Sequence, residues 1–426
     1  MKLTKTFCKL QLISAVVTLP QPNEMQAAPI QVFIFAGQSN MVGYGRTENL
    51  PSNANGEAGT LRGMVNANPG TFGFGGTNPL VDSDGNWLVR SDVHVYARND
   101  IGNGPIIEKG GHTTGFGIIS WNGPEYGFGQ IVGNALDQDV LILKVAKDGT
   151  SLGVNWRSPS AVAKRGGAVG DMWTTMTAEV STVLSNLGTH FPEYNGLDYQ
   201  VAGFGWHQGW NDGSSVALHS EYEDNMVDLI ADVRTQYGSN TPVMIANSGM
   251  QNYPSLEISR PNVLSAQNNI GTPALHPAFV GNVAVVNTVP LWRPPTISPK
   301  DEVFHWHQNG ITMYEIGAGM GQAYLSLIAD SSADFDGNGL VTGRDFLAWQ
   351  QNYGLTTGAR REQGDADSNG KVDDADLAIW ISQYGGAAIQ ANVQSIPEPP
   401  SLVVLSLSGV CLLGLPRIAE KHESGS

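Results

Sequence analysis

The stretch Gln31-Val-Phe-Ile-Phe-Ala-Gly-Gln-Ser39 decides the reading of this chain. From Gln31 to Ala36 the run is β-branched and aromatic without polar alternation, the pattern of a strand covered on both faces. Gly37 then breaks the strand. Ser39 stands on the tight turn that follows, placed for nucleophilic work. Runs of the same kind recur at Val93–Tyr96, Val140–Val145, Tyr199–Phe204, Val243–Ala246 and Val283–Val286. Helical patterns stand between and after them, at about Trp173–Leu187, Leu218–Tyr237 and Ile311–Ile328. This alternation predicts an α/β domain on an open parallel sheet, with its chemistry at the carboxyl ends of the strands. The stretch Pro51–Gly117, rich in Gly, Asn and Ser, predicts long loops near that edge.

The 426 residues carry 39 acids against 23 bases, a formal net charge of -16, and 41% are hydrophobic. That apolar share supports a sizeable core and excludes a mostly disordered chain. The acidity argues against nucleic acid or anionic membrane as a bulk electrostatic partner. It is compatible with neutral substrates or with cations.

Residues 1–28 have the order of a secretory signal peptide: Lys2, Lys5 and Lys9, an apolar run from Leu10 to Leu19, then Gln26-Ala27-Ala28 before Pro29. Near the other end, Ile396-Pro397-Glu398-Pro399-Pro400 precedes an apolar run, Ser401–Pro416, with Arg417 and Lys421 beyond it. At about 16 residues this run is marginal for a bilayer span. Both cysteines, Cys8 and Cys411, fall in these terminal segments, so the region between is expected to fold without disulfides. Residues 395–426 resemble a PEP-CTERM sorting signal of Gram-negative bacteria, although its bases are more scattered than that family's Arg cluster. The resemblance implies a secreted or cell-surface protein that touches the membrane only through this tail. A plain membrane anchor is the alternative.

Between 331 and 390 the sequence repeats itself. Asp334-Phe-Asp-Gly-Asn-Gly-Leu-Val leads to Asp345, and Asp365-Ala-Asp-Ser-Asn-Gly-Lys-Val leads to Asp376, 31 residues later. Oxygen ligands occupy loop positions 1, 3, 5 and 12: Asp334, Asp336, Asn338 and Asp345, then Asp365, Asp367, Asn369 and Asp376. Gly339 and Gly370 fall where a calcium loop turns sharply, and the carbonyls of Leu340 and Lys371 fall at position 7. Each loop runs into an apolar helix, one with Trp349 and one with Trp380. Two structural Ca²⁺ sites are expected. The pair, a small all-α EF-hand-like unit, resembles a type I dockerin module, which implies a cohesin-like partner; an intramolecular or structural use is the alternative.

Four segments carry the candidate chemistry. Ser39-Asn40 follows the first strand. Lys144-Val-Ala-Lys-Asp-Gly149-Thr150 ends another, with a Gly149 backbone N–H able to face an oxyanion. Trp206-His207-Gln208-Gly209 ends a third and offers a side-chain amide. Asp301-Glu302-Val-Phe-His305-Trp-His307 holds a carboxylate three residues before a histidine.

In this order the segments resemble the GQSN, GGTS-like, WHQGExD and DxxH blocks of SGNH hydrolases, in the sialate O-acetylesterase-like branch (carbohydrate esterase family 6). Gly123-Pro-Glu125 resembles a GPE block of the same branch. The resemblance implies a three-layer flavodoxin-like domain over 29–329 that removes O-acetyl groups from acetylated polysaccharide or sialic acid. It implies Ser39 as nucleophile and His305 as general base, with no metal in the chemistry. Gly149, Gln208 and the N–H of Ser39 would form the oxyanion hole, and Asn40, Glu125, His207, Trp210 and Asp212 would line the substrate, with a loop-fastening ion pair the alternative for Glu125 and a hydrogen-bonded structural role the alternative for His207. Two departures stand out. Either Glu302 or Asp301 orients the imidazole, with Glu302 favoured by spacing, and Trp210 replaces the Glu of the third block. His307 is a rival base, though Phe304 three residues before it cannot orient an imidazole. Trp121, Trp156, Trp206 and Trp210 either stack on sugar rings or belong to the core. A non-catalytic glycan-binding protein, assembled through its dockerin-like module, is the alternative from another class.

Overall fold

The computed structural model describes residues 28–67, 80–118, 121–250, 260–302, 304–330, 332–338, 340–367 and 370–384. The apolar and basic parts of the signal-peptide expectation, the sorting tail and both cysteines lie outside the described residues.

Seven strands form one sheet: β1 (Ile30–Gly37), β2 (Arg90–Asp100), β3 (Pro105–His112), β4 (Val140–Lys147), β5 (Tyr199–His207), β6 (Val243–Ala246) and β7 (Val283–Val286). Their order is β3-β2-β4-β1-β5-β6-β7. All neighbours are parallel except β3, which pairs antiparallel with β2. Taken in chain order, β4-β1-β5-β6-β7 read 2-1-3-4-5, the flavodoxin-like doubly wound order, with β2 and β3 added at one edge. In such a sheet the crevice lies where the order reverses, here between the carboxyl ends of β1 and β5.

Strand β1 shows why the sheet is covered on both faces. Val32, Ile34 and Ala36 pack into one core with Trp173, Met176, Leu229 and Val263 from the helices Asp171–Ser185, Tyr222–Tyr237 and Arg260–Ile270. Phe33 and Phe35 enter the opposite core with Tyr126, Phe128, Met313 and Tyr314 from Pro124–Ala135 and Gly310–Asp330. Period-two alternation between two apolar faces leaves no polar face, hence the continuous apolar run. The structure adds elements that the sequence patterns did not predict: β3, the helix Pro124–Ala135, and a break at Glu221 that separates Val216–Ser220 from Tyr222–Tyr237.

Beyond the sheet domain lie two short helices, Gly343–Asn352 and Asp374–Gln383. Each starts on a capping box, Thr342 with Asp345 and Asp373 with Asp376, so two orphan N–H groups are satisfied reciprocally at each start. The helices tie to each other in a two-fold manner. Trp349 Nε1 donates to the carbonyl of Asp373 at 2.9 Å, and Trp380 Nε1 donates to the carbonyl of Thr342 at 2.9 Å. Val341 and Val372 are buried between them with Phe335 and Trp349. Among the described residues no helix is long and apolar enough to cross a membrane.

Candidate active site

The ends of β1 and β5 approach closely because residue 37 has no side chain. A Cβ there would sit 2.3 Å from the His207 carbonyl oxygen. The chain turns at once into the short helix Ser39–Val42, with Ser39 at its first position. A cleft of about 260 Å³ opens at this point, lined by Gln38, Ser39, Asp148, Gly149, Trp210, Asn211, Phe304 and His305. These residues come from the ends of β1, β4 and β5 and from the segment before Gly310–Asp330, so the topological crevice and the cleft coincide.

His305 reaches the cleft on an unusual backbone. His305, Trp306, His307 and Gln308 all have φ between 55° and 58°, a left-handed turn built without glycine. Such a conformation costs roughly 1–2 kcal/mol per L-residue and persists only where surrounding contacts impose it. Several contacts meet at Glu302. His305 Nδ1 lies 2.7 Å from Glu302 Oε1, while Gln308 Nε2 donates to Oε2 at 2.7 Å and Lys300 Nζ lies 2.8 Å from Oε2. Burial pushes the Glu302 carboxyl up, but the hydrogen bonds and charges of His305 and Lys300 outweigh it and hold its pKa below the usual value. The imidazole therefore faces an ionised carboxylate with Nδ1 as donor, which leaves Nε2 free to act as base. The tyrosine ring of residue 44 stacks on the imidazole, centroids 3.7 Å apart and planes 19° apart, and Tyr44 Oη donates to Asp148.

The other candidates for the histidine pair are placed elsewhere. Asp301 has 84% of its side chain exposed and lies 3.9 Å from His307 Nδ1, so it does not orient His305. His307 is buried, and its Nδ1 accepts the Glu302 backbone N–H at 3.2 Å. Burial lowers its pKa despite the nearby acids. It does not line the cleft.

Gln208 departs from the expected role as a side-chain oxyanion donor. Its Nε2 faces Asp212 Oδ2 at 2.5 Å, the Thr150 carbonyl at 3.1 Å and Gln38 Oε1 at 3.2 Å, and it is buried away from the cleft. The amide that does line the cleft is Asn211, whose Nδ2 donates to the Gly149 carbonyl. Gly149 itself has φ 67°, a left-handed position suited to glycine. The sequence signal for Asn211 was its place just past the end of β5, beside Gln208; spacing alone does not say which of the two amides turns outward.

Asp212, Glu125, His207 and Asn40 are buried and outside the cleft lining, and for Glu125 and His207 the contacts are those of the structural alternative. Asp212 accepts the backbone N–H groups of Leu152 at 2.9 Å and Gly153 at 3.0 Å, which pins the loop after β4 to the loop after β5. Burial pushes its carboxyl up to about 6 against those hydrogen bonds and that of Gln208. Glu125 is paired at 2.8 Å with Lys144, and the two side chains are 1% and 0% exposed. Lys144 also donates to the carbonyls of Val42 at 2.9 Å and Phe116 at 2.6 Å, so the pair fastens the end of the Ser39 helix onto β4. His207 is fully buried, with Nδ1 on the Ala246 carbonyl at 3.0 Å, and burial lowers its pKa to about 4. Asn40 is buried with its amide against the Met250 sulfur at 3.6 Å.

Trp210 does line the cleft, with the Arg260 guanidinium 3.7 Å from its ring centroid and Phe304 edge-on at 6.3 Å. Trp156 and Trp206 are core residues, packed edge to face and fully buried. Trp121 lies under Arg46, 4.4 Å from its ring centroid.

Away from the cleft, carboxylate oxygens of Asp334, Asp336 and Asp345 lie within 4.8 Å of one another, as do those of Asp365, Asp367 and Asp376. Asn338 donates its N–H to Asp334 and Asp336, and Leu340 donates its N–H to Asn338 Oδ1 at 2.9 Å. Asn369 and Gly339 lie outside the described residues. All-oxygen donor sets of this kind suit a hard divalent cation.

A doubly wound sheet that brings a serine and a carboxylate-bound imidazole into one cleft at its carboxyl edge is the framework of an ester hydrolase. Residues 29–288 match the family "Carbohydrate esterase, sialic acid-specific acetylesterase", and the chain belongs to that family. It is a carbohydrate O-acetylesterase, acting on acetylated carbohydrate. The matched region includes Ser39 and stops short of Glu302 and His305, which the fold alone brings to the serine. No curated protein sequence matches the chain. Similar solved structures include a protein of Arabidopsis thaliana (18% identity, TM-score 0.42, covering 70% of this chain and 98% of that one). A carbohydrate acetylesterase from Xanthomonas citri is another (11% identity, TM-score 0.38, covering 69% of this chain and 55% of that one).

Proposed function

We propose that the protein is a serine esterase that removes O-acetyl groups from carbohydrate through an acyl-enzyme on Ser39. The observation that carries this reading is the shared cleft of Ser39 and His305, with Glu302 behind the imidazole. His305 Nε2 takes the proton as the Ser39 hydroxyl attacks the acetyl carbonyl. Glu302 holds the ring and stabilises the cation that forms. The N–H groups of Ser39 and Gly149 stabilise the oxyanion, with the Asn211 amide on the cleft wall in the place first expected of Gln208. His305 then protonates the departing sugar oxygen, and water cleaves the acetyl-enzyme by the same route. The experiment is hydrolysis of 4-nitrophenyl acetate by the wild type and Ser39→Ala. Turnover should fall by at least about 10³-fold; equal rates would leave the glycan-binding alternative standing.

The same reading places a secreted or surface protein with a calcium-binding dockerin-like module at 331–390. Asp334, Asp336, Asn338, Asp345 and the Leu340 carbonyl would hold one ion. Asp365, Asp367, Asn369, Asp376 and the Lys371 carbonyl would hold the other. Bound calcium supplies charge neutralisation for each loop and takes no part in the ester chemistry. A cohesin-like partner and a processed sorting tail complete the proposal.

A further inference from the structure

The cleft has an electrostatic bias that its family description does not predict. Sialic acids carry a carboxylate, and a site for them is expected to offer a cation. The cleft lining offers the opposite: Asp148 is its carboxylate, and no Lys or Arg is among the lining residues. The internal segments outside the described residues contain no Lys or Arg either. Bases at the periphery are engaged. Lys300 pairs with Glu302 at 2.8 Å, Lys147 lies 3.5 Å from Asp100 and 3.6 Å from Asp171, and Arg260 lies over Trp210.

Asp148 is held in place rather than swept by solvent. Tyr44, stacked on His305, donates to its Oδ2, while Oδ1 is buried and receives no hydrogen bond from the described residues. It stands where the GGTS-like block that this segment resembles begins, ahead of Gly149. An oxygen short of a donor suits a sugar hydroxyl, which can donate. A second carboxylate is acceptor-only and brings a like charge. The apolar ring faces of Trp210 and Phe304, also on the cleft, favour the uncharged face of a pyranose.

We propose that Asp148 is a specificity-determining residue that directs this esterase to acetyl esters of uncharged sugars and turns away acetylated sugars bearing a carboxylate. The proposal rests on the reading of this cleft as the ester-binding site. Two unit charges about 6 Å apart at an effective dielectric near 20 differ from a neutral pair by about a hundredfold in binding. Solvent access to the half-exposed Asp148 reduces that to about tenfold.

The test compares acetate release by the full-length protein from two methyl glycosides acetylated at the same hydroxyl, a glucoside and a glucuronoside. They differ only in CH₂OH against COO⁻, and 4-nitrophenyl acetate serves as the sugar-free control. The wild type should favour the glucoside in kcat/KM by about tenfold or more, the ratio should shrink as salt is raised, and Asp148→Asn should bring it toward unity. Equal or faster turnover of the glucuronoside by the wild type overturns the proposal, as does an unchanged ratio in Asp148→Asn. Turnover of 4-nitrophenyl acetate with no release from the glucoside also overturns it. Inactivity on all three substrates instead removes the esterase reading beneath it. If Asp148→Asn does not fold, the wild-type salt series decides, because a ratio insensitive to salt contradicts a charge effect.

Discussion

His305 Nδ1 lies 2.7 Å from Glu302 Oε1, and Asp301, one residue earlier, points its carboxylate into solvent. The relation assigns the two acids different weights. Glu302→Gln keeps the shape but loses the charge that fixes the tautomer, and kcat should fall by about 10²–10⁴-fold. Asp301→Asn should change kcat less than about twofold. Steady-state hydrolysis of 4-nitrophenyl acetate measures both; similar losses in the two variants would contradict the geometry.

Substitutions at Asn211 and Gln208 should separate catalysis from stability. Asn211→Ala removes the amide on the cleft wall, and kcat should drop by about 10²-fold, the usual effect of one lost oxyanion donor. Gln208→Ala strips a donor from buried Asp212 and an acceptor from Tyr222, whose Oη lies 3.2 Å from Gln208 Oε1. Its main effect should be about 1–3 kcal/mol of stability, read from urea unfolding.

Much of the sheet was legible because β1, β4 and the second half of β5 are buried on both faces, so their runs are mostly apolar, with buried Lys144 the exception in β4. β3 was not. It is an edge strand with an exposed start and a Gly110-Gly111 pair, so it buries too little to impose a pattern. The serine and the histidine were legible as motif letters. Which neighbour turns into the cleft was not, because it depends on partners distant in sequence: Leu152 and Gly153 draw Asp212 inward, and Asp212 draws Gln208 after it. Tyr44 carried no signal either, since its stacking on His305 joins residues from opposite ends of the domain. The left-handed run at 305–308 has no glycine to announce it.

The Glu125–Lys144 pair should behave as a buried ion pair under the active site. Removing one partner strands a charge, so Glu125→Ala should cost about 3–5 kcal/mol, seen as a lower urea midpoint. Replacing both, Glu125→Leu with Lys144→Met, should recover part of that loss. Activity should fall with Glu125→Ala as well, because Lys144 holds the Val42 carbonyl at the end of the Ser39 helix.

Asp212 gives stability a pH dependence of definite sign. Its folded pKa is about 6, above the 3.8 of the free side chain, so the folded state binds this proton more tightly. Its contribution is therefore most favourable below about pH 4, and is lost as pH rises toward 6. The change is on the order of 3 kcal/mol, two pKa units at about 1.4 kcal/mol each. Asp212→Asn lacks it. The stability difference, wild type minus variant, should shift against the wild type by that order between pH 4 and 6; a difference constant over that range would rule out a raised pKa.

Calcium removal should act on the C-terminal module and spare the chemistry. Three carboxylates within 4.8 Å repel one another in each loop, and a bound cation turns that repulsion into attraction. Each loop is also joined to the opposite helix, since Trp349 and Trp380 donate to the residues that start the partner helices. Loss of either ion should therefore loosen both halves. Titration should find two Ca²⁺ per chain, and one in Asp376→Ala. Chelation should shift the tryptophan fluorescence and lower the module's melting temperature, with hydrolysis of 4-nitrophenyl acetate unchanged. Loss of esterase activity on chelation would instead couple the module to the cleft and contradict the separation of the two roles.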